Sequence, residues 1–258
     1  MPAVRGVDLK RELAAIPVTG SPVRARLREQ AIAAIFAEDL VEASYSYNLV
    51  PLSAPPAAVL EAGGERFHAP RLLPESGELT ALGCGVCTLG PRLEARIRAL
   101  FGEKRAALAV SMDEVANEML FALGRRIQDR MLSECYRKRL SMGAELHAGD
   151  PGLDLDAQAA VLRLAQAEQV GVTLFKGHLL TPLKSSSVVF AVGRDLPEVA
   201  WSRCESCPSA KKCNFGRRAN AERDAAARGA SDAASSMQTP VPPAPRVGDR
   251  NGWKESRA

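Results

Sequence analysis

Five cysteines fall into two groups whose spacing suits chemistry. Cys204, Cys207 and Cys213 form C-x2-C-x5-C within WSRCESCPSAKKCNFGRR, and Cys84 and Cys87 form C-x2-C within GCGVCTLG. Among the metals available to a protein, thiolates favour zinc or an iron–sulfur cluster. Three thiolates are one short of a four-thiolate site. Cys84 or Cys87 would complete it if the two regions meet. Pro208 follows the second cysteine of the trio, and Lys211, Lys212 and Arg217 would offset the negative charge of bound thiolates. An iron–sulfur cluster there would deliver electrons, whereas a zinc ion would staple the segment. The alternative for Cys84 and Cys87 is packing as small apolar side chains in a strand, and for the other three a loop of reduced thiols. Cys135 lies in a helical pattern and reads as a buried small hydrophobe.

These readings require a reducing compartment, and the composition agrees. The 258 residues are 46% hydrophobic and 25% charged, ordinary values for a globular chain with a sizeable core. No apolar run is long enough to span a membrane. The stretch MPAVRGVDLKRELAAIPVTG carries no charged segment followed by an apolar one, so a secretory signal is not expected and the cytoplasm is. A disulfide framework is then a poor account of the cysteines. The net charge is +4, but residues 217–258 hold eight Lys/Arg against five Asp/Glu. The body before them is therefore close to neutral. With 5% aromatic residues and no stacking platform, neither a nucleic acid nor a membrane is an expected partner.

The elements that must position these residues follow from periodicity and punctuation. Residues 1–20 read as a lead-in with a strand or turn. Residues 21–39 read as a helix capped by Ser21 with Pro22 in its first turn. ASYSYNLVPLS alternates as a strand, and AAVLEAGGERFHAPRLL fits a hairpin around Gly63-Gly64. GCGVCTLG reads as a short strand and residues 91–101 as a helix. RAALAVSM reads as a buried strand before a long helix from Asp113. That helix carries an apolar stripe at Val115, Met119, Ala122, Leu123, Ile127 and Met131 and a basic outer face from Arg125 to Arg139. HAGDPGLD is a loop, and LDAQAAVLRLAQAE a helix capped by Asp154 or Asp156. VGVTLFKGHLLTPLKSSSVVFAVG holds two strands around a Pro-Lys-Ser loop. The order lacks a regular βαβ alternation, so the expected class is α+β. The expected units are a body over 1–200, a cysteine-rich metal-binding segment over 201–217 and a disordered tail over 218–258. Phosphate-loop, dinucleotide and hydrolase signatures are absent from the sequence.

The order TLGPRLEARIRAL, ALAVSMDEVANEML, DPGLDLDAQ, GVTLFKGHLLTPLKSSSVVFAVG and then the cysteines resembles the activation domain of cobalamin-dependent methionine synthase. It is most similar to short relatives of that domain that end in a cysteine motif. The resemblance runs from about Ala43 to Cys213. It implies a twisted antiparallel sheet with helices around it. It also implies an accessory role in the reductive reactivation of a corrinoid methyltransferase, with S-adenosylmethionine as ligand and with cobalamin met only through that partner.

By resemblance, Glu118 matches a family glutamate that contacts S-adenosylmethionine. Pro182, Ser185 and Ser187 match a Pro-x-x-Ser-x-Ser pattern, and Lys184 the lysine of the short relatives. The family's Arg-x-x-Pro-Gly-Tyr is HAGDPGLD here. Pro151 and Gly152 are kept, Leu153 stands at the tyrosine position, and His147 is the nearest cation. The alternative is a repurposed binding or electron-transfer module that keeps the fold and a zinc or iron–sulfur site but has lost the nucleoside.

Overall fold

The computed structural model describes Leu9, Leu13 and residues 21–197. The trio Cys204, Cys207 and Cys213 and the expected tail lie outside the described residues. Leu9 and Leu13 are helical and buried, so the lead-in is helical at these two points and not a strand.

The centre is a four-stranded antiparallel sheet. Its strands are β1 (Ser44–Pro51), β4 (Glu78–Thr88), β5 (Ser141–Leu146) and β8 (Ser185–Arg194), in the spatial order β1-β4-β8-β5. Two ribbons lie outside it. One pairs β2 (Val59–Ala62) with β3 (Glu65–His68), and the other β6 (Thr173–Phe175) with β7 (Leu179–Thr181). Helices α1 (Pro22–Ala37), α2 (Pro91–Gly102) and α3 (Ala106–Arg137) cover one face of the sheet. The first ribbon and α4 (Gln158–Leu164) cover the other. The α+β class and antiparallel sheet are as the sequence led one to expect.

Both inner strands are buried on two faces, which explains why β4 and β8 read as nearly continuous apolar runs. In β4, Leu82, Cys84 and Val86 face the α4 side, and Ala81, Gly83, Gly85 and Cys87 face the helical side. The second set is a stripe of small residues, and α3 lies on it. A Cβ added at Gly85 would come within 2.8 Å of Ile127 Cγ2, and one at Gly83 within 3.0 Å of Met131 Sδ. Cys135 packs with Ala81 and Val192. Ile127, Met131 and Cys135 are thus one turn apart and meet Gly85, Gly83 and Ala81 in turn. Four helical residues rise about 6 Å and two strand residues about 6.7 Å, so the spacings match. Phe190 of β8 stands across from Gly83 and fills the space beside the stripe.

The largest difference from sequence expectation is RAALAVSM. It is not a strand but the beginning of α3, which runs 32 residues. Leu108, Ala109, Met112, Val115 and Ala116 are buried while Val110 is half exposed, a helical period that a short apolar run does not reveal by itself. The region read as two strands around a loop contains three strands, β6, β7 and β8. The helix expected after Asp154 begins as a 3-10 turn over Leu155–Ala157, and no side chain caps it.

Gly85→Ala is expected to lower stability by about 1–3 kcal/mol, because an interior methyl must displace Ile127 or the helix. Urea unfolding reads this directly. An unchanged midpoint would show that α3 has slack against β4.

Candidate functional site

The turn that precedes α2 is built for tight closure. Thr88 Oγ1 accepts from Gly90 N–H at 3.0 Å, and Pro91 opens the helix. Gly90 sits at φ +81°, where a Cβ would fall 2.7 Å from that of Glu42. This is the physical content of the Thr-Leu-Gly-Pro sequence.

The loop Pro182–Ser185 closes on this turn. Leu89 N–H donates to the Lys184 carbonyl at 2.9 Å, and Leu183 N–H donates to Glu94 Oε2 at 2.6 Å. Ser185 Oγ bonds the Pro182 carbonyl at 2.6 Å and Thr88 Oγ1 at 2.9 Å. Lys184 Nζ reaches α3, where it meets Asp113 Oδ1 at 2.6 Å and Asn117 Oδ1 at 2.9 Å. Asn117 in turn donates to Asp113 Oδ2 at 3.2 Å. The four-residue spacing of Asp113 and Asn117 puts both on one face of α3, so the lysine is held by a ready-made pair. Ser187 points to the other face of the sheet and accepts from Gln158 Nε2 at 2.7 Å.

Glu118 is buried on α3 and faces α1. Its carboxylate pairs with Arg28 at 2.5 Å, each side chain 11% exposed, and Arg28 also donates to the Leu13 carbonyl at 3.3 Å. A cation of the chain itself thus occupies the position that the resemblance gave to a ligand's positive charge. Glu118 and Ser187 also work on opposite faces of the sheet.

The loop around Pro151 and Gly152 is closed by its own bonds. His147 N–H donates to Asp150 Oδ2 at 2.8 Å, Gly149 N–H to the Leu153 carbonyl at 2.9 Å, and Leu153 N–H to the Asp150 carbonyl at 3.0 Å. His147 Nε2 lies 2.9 Å from Glu145 Oε1. Leu153, at the family's tyrosine position, is fully buried in the core on the α4 side. The stem of Arg71, from the turn Pro70–Leu72, passes directly over Gly152.

Cys84 and Cys87 do not form a ligand pair. Three residues apart on a strand, they point to opposite faces of the sheet. Burial pushes each thiol up to about 12. Cys204, Cys207 and Cys213 lie outside the described residues, and so does the expected meeting of the two groups of cysteines. Cys135 is buried in apolar surroundings, as its helical pattern led one to expect. Among the described residues no group of three or more His, Cys, Asp or Glu side chains could hold a metal, and no helix is long and apolar enough to cross a membrane.

Several residues in these networks carry no sequence signal. Arg28, Asp113, Asn117, Glu94, Thr88 and Gln158 become partners only through packing between residues 29 to 97 positions apart. The Asp113–Asn117 spacing was the one clue available. A groove of about 480 Å³ opens between α4 and the turn Ala167–Val170, near Arg163, Gln166 and Gln169. None of Glu118, Pro151, Gly152, Pro182, Lys184, Ser185 or Ser187 lines it.

No family profile and no curated protein matches the sequence. Among solved structures, the crystal structure of the MetH reactivation domain bound to AdoHcy is similar to this chain, with a TM-score of 0.54 at 13% identity. The match covers 74% of this chain and 77% of that one. At that identity the correspondence is one of fold, and it is the fold that the sequence resemblance implied.

Glu118→Leu is expected to destabilise the protein by about 3–5 kcal/mol, because it strands the Arg28 guanidinium in the interior. Adding Arg28→Met should recover most of that loss. Chemical denaturation of the two single variants and the double variant measures the coupling. A single-variant loss below about 1 kcal/mol, the range of solvent-exposed pairs, would mean that Arg28 swings free to water.

Proposed function

We propose that this chain is an accessory module in the reductive reactivation of a corrinoid methyltransferase, working in the cytoplasm. It would dock on the cobalamin-carrying partner and help return inactive cobalt(II) to its cycle. The partner's cofactor carries the difficult chemistry, and this chain contributes position and electrostatics. The observation that carries the reading is the fold correspondence with a reactivation domain along three quarters of both chains.

The neighbour's AdoHcy brings S-adenosylmethionine into consideration as a ligand. The side chains carried over for it do not fit that group in their present arrangement. Glu118 faces Arg28, Lys184 is held by Asp113 and Asn117, Leu153 is in the core and His147 is bonded to Glu145. No step is derived through the nucleoside. This same disagreement favours a second reading, in which the fold has been repurposed as a binding or electron-transfer module for another partner.

For Cys204, Cys207 and Cys213 we propose an iron–sulfur cluster or a zinc ion. A cluster would supply electrons to the reactivation, and zinc would only brace the segment.

Titration calorimetry of the full chain separates the two functions. A cobalamin-loaded methyltransferase that lacks its own reactivation domain should bind saturably, whereas S-adenosylmethionine and S-adenosylhomocysteine should give no heat that Glu118→Ala alters. Binding of none of the three leaves the repurposed module as the function. Purification without oxygen, with assays of iron, sulfide and zinc, tests the metal. Metal should be retained in the parent and lost on changing Cys204, Cys207 and Cys213 to Ser. A metal-free parent removes the site.

A further inference from the structure

The central sheet has two edges, and they are guarded differently. β5 is interrupted where its register shifts between Met142 and Glu145, and it carries that glutamate. β1 has neither protection. Its residues, SYSYNLVP, pair with β4 without a break and hold no charge, and the proline stands at the far end. Among the described residues no strand lies beyond β1. A regular, uncharged edge is a template for another strand.

The register shows which backbone groups are left over. Leu52 N–H donates to the Thr80 carbonyl at 3.0 Å, and the same pairing sets Val50 opposite Leu82 and Asn48 opposite Cys84. In an antiparallel ladder the hydrogen-bonded pairs recur at every second residue. Asn48 and Val50 therefore bond to β4, while Tyr47 and Leu49 turn both N–H and C=O outward. Tyr45 is buried, whereas Tyr47, Asn48 and Leu49 are each partly exposed, so the open part of the edge is centred on Asn48.

Two copies of this stretch fit one another. With a two-fold axis at Asn48, Tyr47 of each copy stands opposite Leu49 of the other, and each such pair exchanges both of its hydrogen bonds. Tyr47 and Leu49 pack on the helical side of the sheet, so across the axis they meet as aromatic–aliphatic pairs. The Tyr47 ring is already held by stacking on Tyr45 and by a hydrogen bond to Glu134. Asn48 alternates to the α4 side and meets its own copy at the close, non-hydrogen-bonded position, where two carboxamides bond each other. A foreign strand would match the backbone spacing alone, whereas a second copy matches the side chains as well.

The charges around the edge are mixed. On the helical side Glu134 pairs with Lys138, and Arg137 lies near Tyr47. On the α4 side Glu168 belongs to the turn Ala167–Val170, which packs on β1. Towards the two ends Glu42 faces Arg92 and Glu61 faces Arg66. Neither sign dominates, so two copies are not held apart by like charge.

We propose that the chain pairs with a second copy of itself through β1, joining the two four-stranded sheets into one continuous antiparallel sheet. The contact is isologous and closes at two copies, with the guarded β5 strands as the outer edges. It goes beyond the accessory role proposed above and does not depend on it.

Sedimentation of the full chain over a dilution series should show a dimer. Asn48→Lys opposes two ammonium groups at the axis and should raise the dissociation constant by about tenfold or more, and Asn48→Glu should do the same with two carboxylates. Mixing the two variants should restore the dimer, because unlike charges then meet, and that recovery also shows both variants to be folded. Hydrogen exchange on the parent needs no variant. The Tyr47 and Leu49 amides should be protected in the dimer and exchange faster on dilution, while those of Asn48 and Val50 should not change. A parent that sediments as a monomer at every concentration overturns the proposal. So does a dimer whose Tyr47 and Leu49 amides gain no protection, or one that both Asn48 variants leave intact, because its contact lies elsewhere.

Discussion

The close approach of α3 to β4 is the constraint on which the remaining contacts depend. A helix carrying isoleucine and methionine reaches this near a sheet only where the strand beneath has no side chains to push it away. Ala81, Gly83 and Gly85 supply that, and Ile127, Met131 and Cys135 fill the trough at matching intervals. The match fixes both the height and the register of α3. Once those are set, the first half of the helix projects beyond the end of β4. Asp113 and Asn117 then stand over the loop after β7, and Glu118 stands under α1. A strand of ordinary side-chain volume would lift the helix and part all three groups from their partners.

The polar residues that looked most like ligand contacts have been drawn into this architecture. A carboxylate held in a protein interior needs a cation or hydrogen-bond donors, and Glu118 meets Arg28. Lys184, a half-buried ammonium, is likewise satisfied by a carboxylate and an amide one turn apart on α3. Each of these side chains is chemically suited to a ligand, and that suitability is also what qualifies it as internal cement. Residue type at a matched position decides little until the partner is known. The partners here come from elements far away in the chain.

What was legible in the sequence divides along the same line. Local punctuation could be read directly: Ser21 and Pro22 opening α1, Gly63-Gly64 turning the first ribbon, Gly90-Pro91 opening α2. The stripe of α3 from Val115 to Met131 was also visible, because every member is buried. The first turns of that helix were not, since RAALAVSM has the composition of a strand and is helical only because Leu108, Ala109 and Met112 face a core that other elements create. GCGVC was read for its thiols, yet its glycines have the greater structural consequence. Alternation on a strand sends the two cysteines to opposite faces and the two glycines to one. At the candidate site the loop over Pro182–Ser187 could be read, but the internal partners of Lys184 could not, because Asp113 and Asn117 lie some 70 residues earlier.

A module that acts by docking has different needs from one that encloses a small molecule. Enclosure requires a cleft whose polar groups are left unsatisfied until the ligand arrives. Docking requires the reverse: internal polar groups satisfied, backbone fixed, and apolar groups turned outward. The Pro182–Ser185 loop has this second character. Its carbonyls, its lysine and its serine are spent within the chain, and Leu183 is left facing water. The bonds that tie Lys184 to α3 and Leu183 to α2 fix adjacent points of one short loop.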